Sequence, residues 1–140
     1  MKIKLDENAF PPTRAHLTDA GLDLYAKADE PIVRIHPHNS AIFRTGVHIK
    51  LPPNTAGVII SKSGLNTKYN ITSTGLIDEG YDGEIVVKLY NHGDDYYIVH
   101  GGDKISQLIV VPVLYEKVEI VEDLKQISER GSDGFGSTGR

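Results

Sequence analysis

The sequence predicts an all-β protein, a jelly-roll-like sandwich or barrel organised around one domain. Short β-prone runs recur about every ten residues, the rhythm of antiparallel β folds. Turn residues separate them at Pro37-His38-Asn39, Pro52-Pro53-Asn54, Asp82-Gly83, His92-Gly93-Asp94 and Gly101-Gly102-Asp103. Helical character is confined to a turn after Ser63 and a short amphipathic stretch at 122–127.

Taken along the chain, residues 19–24 come first, where Leu22-Asp23-Leu24 alternates as a strand does and sets Asp23 between two leucines. Strands are predicted at 32–35, 41–43, 47–51 and 56–61, all rich in β-branched or aromatic residues. Further strands follow at 69–73 and 85–91, joined by a Gly-rich connection from Gly75 to Glu84. The runs at 96–99, 105–113 and 118–121 complete the set. Residues 105–113 are apolar on both faces, which predicts a strand buried on both sides, its second face at a subunit contact. The last eleven residues, from Arg130 to Arg140, hold four glycines and no periodic apolar face, so they cannot build a core.

The bulk numbers exclude several classes. A chain of 140 residues suits one domain burying roughly two-thirds of its unfolded surface. A net charge of −4 argues against a nucleic-acid polymer as ligand, which needs a basic surface. Without cysteine there is no disulfide, thiol nucleophile or cysteine-held zinc. No apolar run approaches membrane-spanning length, and Met1-Lys2-Ile3-Lys4 does not lead into a signal-peptide core. A cytoplasmic location is expected.

Several segments could carry chemistry. Ser61-Lys62-Ser63-Gly64-Leu65 follows an apolar strand, so free N–H groups, Lys62 and the Ser63 hydroxyl could hold an anion; a plain helix cap at Ser63 is the commoner outcome. In the 75–84 connection, Asp78 follows Leu76 and Ile77 at the edge of an apolar wall, a setting that suits a general base for water. Tyr81 lies three residues on, with Gly80 and Gly83 nearby to admit a ligand; a hairpin turn with a surface tyrosine fits equally. Asp23 needs a partner or a metal, and Gln107 needs a hydrogen bond within an apolar strand. His36 and His38 lack a third zinc ligand, and no His-Glu-x-x-His, Walker loop or Gly-x-Ser-x-Gly elbow occurs. The terminal backbone N–H groups, hydroxyls and arginines suit phosphates, and Phe135 offers a flat face to a base; a solvated terminus is the alternative.

Five segments, in order and spacing, resemble the motifs of the homotrimeric dUTP pyrophosphatases (dUTPases). They are Ala20-Gly21-Leu22-Asp23-Leu24, Lys62-Ser63-Gly64-Leu65, Gly75-Leu76-Ile77-Asp78 with Tyr81 and Gly83-Glu84, Gly102-Asp103-Lys104-Ile105-Ser106-Gln107-Leu108, and Arg130-Gly131 through Phe135-Gly136-Ser137-Thr138-Gly139. The resemblance implies a β-clip domain over 1–128 and a flexible lid over 129–140 that completes a neighbouring subunit's site in a trimer with exchanged tails. It implies hydrolysis of dUTP to dUMP and pyrophosphate with Mg²⁺, which limits uracil in DNA and supplies dUMP for thymidylate synthesis.

By the same resemblance, Asp78 matches the general base and Tyr81 the ring beneath the deoxyribose that excludes a 2′-hydroxyl. Leu76 and Ile77 lie on the hairpin whose main chain reads uracil, and Ser63, Gly64 and Gln107 match phosphate-binding positions. Lys62 stands where the family usually carries a phosphate-contacting arginine. Asp23 matches the acid that holds Mg²⁺ through ordered water. Arg130 matches the γ-phosphate contact, Phe135 the partner stacked on uracil, and Gly136, Ser137 and Thr138 the lid. Other departures are Thr72 at a position usually asparagine, Asp82 where a basic residue is commoner, and Asp133 where glycine is. A dCTP deaminase shares the fold but lacks this glycine-rich ending, and a purely structural jelly roll would not explain the five motifs.

Overall fold

The computed structural model of the chain describes residues 1–124. Ten strands and one short helix run in the order β1 (Lys2–Leu5), β2 (Leu22–Tyr25), β3 (Val33–Ile35), β4 (Ser40–Lys50), β5 (Thr55–Ile60), α1 (Ser63–Tyr69), β6 (Ile71–Thr72), β7 (Thr74–Ile77), β8 (Glu84–Asn91), β9 (Tyr97–Val99) and β10 (Lys104–Pro112). Two four-stranded antiparallel sheets, ordered β1-β4-β8-β6 and β2-β10-β5-β7, are accompanied by a separate two-stranded sheet, β3–β9. The sheets do not close into a barrel. The predicted all-β sandwich is what the chain adopts.

Period-two patterning builds the core. In β8, Ile85, Val87, Leu89 and Asn91 point inward while Val86 and Lys88 face out. Ile85, Val87 and Leu89 meet Phe43, Val47 and Ile49 of β4, Leu24 of β2 and Leu108 of β10 in one buried cluster. Asn91 is fully buried, and its side-chain amide donates to the carbonyls of Ile35 and Asp95 at 3.0 and 2.8 Å.

Several elements differ from expectation. The runs at 41–43 and 47–51 fuse into the single strand β4, because a bulge between Arg44 and His48 absorbs the break. Gly46 sits there at φ 66°, and its N–H is taken by Glu84 Oε1 at 2.8 Å. The predicted strand at 69–73 shrinks to β6, since α1 continues through Tyr69 and ends on Asn70 in the left-handed region. Ser63 is not the helix cap; that position falls to Lys62, without a side-chain cap bond. Residues 74–77, expected inside a connection, form β7 against β5, with Gly75 opposite Ile59.

In β10, Ile105, Ser106 and Leu108 are buried but Val110 is 37% exposed, so within one chain the strand is not covered on both faces. Residues 118–121 form no strand, and Val118 and Ile120 are more than 90% exposed, at 92% and 95%. The helix expected at 122–127 is not formed by residues 122–124, and its remainder lies outside the described residues.

Candidate active site

Register brings three of the expected residues together. Gln107 of β10 pairs with Asp23 of β2 on one side and with Ile60 of β5 on the other. The chain then leaves β5 two residues before Lys62, so the Lys62 ammonium returns to bond Asp23 Oδ1. Gln107 Nε2 donates to the same oxygen at 3.2 Å. Gly21 makes room for this row, since a Cβ there would lie 3.2 Å from the Gln107 side chain.

A lysine not singled out from the sequence completes the cluster. Lys104 Nζ reaches Asp23 Oδ2 at 2.9 Å. Asp23 is buried, and burial pushes its carboxyl pKa up, but the bonds from Lys62 and Lys104 outweigh it and hold the group below the ordinary carboxylate value. The Asp23 carboxylate in turn raises the Lys104 ammonium. Asp23 therefore stays ionised at neutral pH.

Beside this row, three hydroxyls lock the strand ends. Ser73 Oγ lies 2.7 Å from Ser106 Oγ, which donates to the Ile60 carbonyl at 2.8 Å. Ser61 Oγ accepts from the Ser73 N–H at 2.9 Å. This fixes the exit of β5, and hence the start of α1, against β10 and the loop before β7. Ser63 and Gly64 are both exposed on the first turn of α1, and a Cβ on Gly64 would meet nothing. That face is open to a ligand.

The second part of the site is a cleft beside the loop joining β7 to β8. These strands lie in different sheets, β7 paired with β5 and β8 with β4 and β6, so the segment is not the expected hairpin. Gly75, Leu76, Ile77, Asp78, Tyr81 and Val86 line it, and its volume is about 170 Å³. Ile77 is buried and anchors the wall, whereas Leu76 and Asp78 are exposed at its rim. The Tyr81 hydroxyl donates to the Glu84 carbonyl at 2.9 Å, folding the ring back over Gly83. A Cβ on Gly83 would collide with that ring, so this glycine accommodates the tyrosine itself and not an incoming ligand.

Residues outside the quoted motifs hold the β7–β8 loop. His48 touches the Asp82 carbonyl at 3.1 Å through Nδ1 and Asp6 Oδ1 at 3.2 Å through Nε2. The Asp82 carbonyl, and then the Asp6 carboxylate, raise the His48 pKa above the ordinary imidazole value. On the other side, Glu79 Oε2 accepts from the Asn54 N–H at 2.9 Å and from the Tyr115 hydroxyl at 2.8 Å. The loop is thereby tied on both flanks of Asp78. These contacts depend on chain segments far apart in sequence, and only the strand register reveals them.

Among the described residues, no hydrogen bond or ion pair joins the Asp23 cluster to Asp78 or Tyr81. Nor does any group of three or more His, Asp or Glu stand ready to hold a metal ion. Asp23 already accepts from three N–H donors, which is no cage for a resident cation. The expected contributions of Arg130, Phe135, Gly136, Ser137 and Thr138 lie outside the described residues.

Comparison with known proteins places the chain in a family. The family model for dUTPase matches residues 7–139. The deoxyuridine 5′-triphosphate nucleotidohydrolase of Clostridium acetobutylicum is 44% identical over 143 aligned residues, covering 99% of this chain and 96% of the relative. The enzyme of the same name from Gloeothece citriformis is 45% identical, over 97% and 93% of the two chains. The dUTPase of Staphylococcus bacteriophage 80alpha, solved with dUPNHPP, superposes with a TM-score of 0.89 at 30% identity, over 99% of this chain and 98% of that one. A D95N variant of the phage phi11 dUTPase, whose structure describes a coordinated structural Mg(II) ion, gives 0.78 at 27% identity, over 89% and 98%. Matched along almost its entire length by sequence, and by fold to solved members, the chain belongs to the dUTPase family.

Proposed function

We propose that the chain is a dUTP diphosphatase in which Asp78 activates water for in-line attack on the α-phosphorus. The observation that carries this reading is the position of Asp78, an exposed carboxylate directly after buried Ile77, at the rim of a cleft shared with Tyr81. Water supplies the oxygen that bonds to phosphorus, its proton passes to Asp78, and the bond to the bridging oxygen breaks to release pyrophosphate. The main chain of Leu76 and Ile77 reads uracil, and the Tyr81 ring underlies the deoxyribose. Lys62, Ser63, Gly64 and Gln107 receive the phosphates, which arrive with Mg²⁺ that Asp23 approaches through water. Positioning and charge neutralisation provide most of the rate enhancement.

The full site requires more than one copy. The Asp23 cluster and the Asp78 cleft form separate halves in a single chain, and a three-fold trimer would join a row from one protomer to a cleft from its neighbour. Exposed Leu114, Val118 and Ile120 along the extended segment after β10 suit contact with another subunit. The lid of residues 129–140 would then close over the neighbour's site, with Arg130 on the γ-phosphate, Phe135 on uracil, and Gly136, Ser137 and Thr138 around the triphosphate.

A pyrophosphate-release assay across dUTP, dTTP, dCTP and UTP tests the reading. Release is expected from dUTP far above the other three. Tyr81→Ala is expected to improve the use of UTP relative to dUTP by about tenfold. Equal release from all four nucleotides would remove the proposed substrate, and unchanged sugar selectivity in the variant would remove Tyr81 as the steric gate.

A further inference from the structure

Asp23 is only 5% exposed, and a carboxylate so sheltered needs a counter-ion in every state of the site. In the phosphate-binding reading above, on which this inference rests, Lys62 has to leave Asp23 and turn to the triphosphate. The two lysines are tied down differently. Lys62 has Asp23 as its one ionic partner among the described residues and stands at the threshold of α1, next to Ser63. Lys104 takes the other carboxylate oxygen at 2.9 Å, and its ammonium also lies 5.7 Å from the centre of the Tyr25 ring.

Tyr25 is itself fixed. Its hydroxyl lies 2.5 Å from Thr13 Oγ1, and its ring packs on Phe10 at 5.5 Å between centres. A bracket of β2 and the segment before it thus flanks Lys104 at Asp23. Lys62 is the more sheltered of the two, its side chain 22% exposed against 44%, but among the described residues it has no such aromatic neighbour and its one ionic partner is the carboxylate. We propose that Lys104 is a positioning residue, the standing counter-ion of Asp23 that frees Lys62 for the triphosphate without leaving a buried carboxylate unpaired. It acts on triphosphate binding through Asp23, and touches neither uracil recognition nor the attacking water.

A double-mutant cycle on the full chain tests this, read by calorimetric titration with α,β-imido-dUTP in Mg²⁺ and, separately, with dUMP. Lys104→Gln is expected to weaken the analogue about tenfold and leave dUMP within about twofold, because dUMP lacks the outer phosphates. Lys104→Arg should restore most of the loss, since a guanidinium can also bond Oδ2. In an Asp23→Asn background the same Lys104→Gln change should alter analogue affinity by less than about twofold. An equal loss in both backgrounds, or no loss in either, would overturn the proposal.

A second readout needs no substitution. In ¹H–¹⁵N spectra of the lysine ammonium groups, the analogue should shift the Lys62 signal and leave that of Lys104 hydrogen-bonded in place. Movement of the Lys104 signal with Lys62 unchanged would contradict the assignment. A wild-type protein that binds no analogue would overturn the dUTP reading itself, a result distinct from normal binding with an additive cycle.

Discussion

Asp78→Asn is expected to lower kcat by about 10²–10⁴ while nucleotide affinity holds within a few fold. Asparagine keeps the shape of aspartate and can still hold a water molecule, but it cannot take the proton. The β7–β8 loop should survive the change. Asp78 is exposed, and its main-chain carbonyl, which accepts the Tyr81 N–H at 3.0 Å, is the same in the variant. Glu79 and His48 still hold the two flanks through Asn54, Tyr115, Asp6 and the Asp82 carbonyl. The loss should therefore fall on turnover alone, measured as pyrophosphate release at saturating dUTP beside titration with the imido analogue. Near-normal turnover would take Asp78 out of the base role.

Removal of residues 130–140 is expected to leave the fold intact and lower kcat/KM by about 10²-fold or more, the range expected when a reactant loses its positioning. The buried hydrophobic core ends at Leu108, so among the described residues no core side chain lies near the cut. Thermal unfolding should shift by no more than a few degrees. Activity should fall because the outer phosphate loses Arg130, the base loses Phe135, and bulk water is no longer kept from the reacting phosphorus. A truncated protein with full activity would remove the lid from the account.

Much of this architecture was legible because its signals are local. The alternation of Ile85, Val87 and Leu89 declares both the strand and its inward face. Pro52-Pro53-Asn54 and Gly101-Gly102-Asp103 end strands by backbone chemistry that needs no tertiary context. Elements whose form depends on distant partners were not legible. β4 runs unbroken because Glu84, far along the chain, takes the Gly46 N–H. Thr45 also reaches across to the Ile85 carbonyl at 2.6 Å. β1 is a four-residue exposed edge strand; Lys-Ile-Lys-Leu alternates, but the run is too short to announce itself.

The site divides along the same line. Asp23, Lys62, Gln107, Asp78 and Tyr81 stand in recognisable segments, and resemblance to a family identifies them. That Asp23 would need a partner follows from its apolar neighbours alone. That the partners are Lys62, Lys104 and Gln107 follows only once β10 lies between β2 and β5. His48, Glu79 and Tyr115 carry no motif and no unusual local pattern. Their part in holding the β7–β8 loop exists only through contacts made across the fold.

The most direct measurement is hydrolysis of dUTP in ¹⁸O-water, with the products resolved by mass spectrometry. A water aimed at the α-phosphorus delivers one labelled oxygen to dUMP and leaves pyrophosphate unlabelled. Label recovered in pyrophosphate, with unlabelled dUMP, would mean that attack falls on the β-phosphorus and that the proposed geometry is wrong.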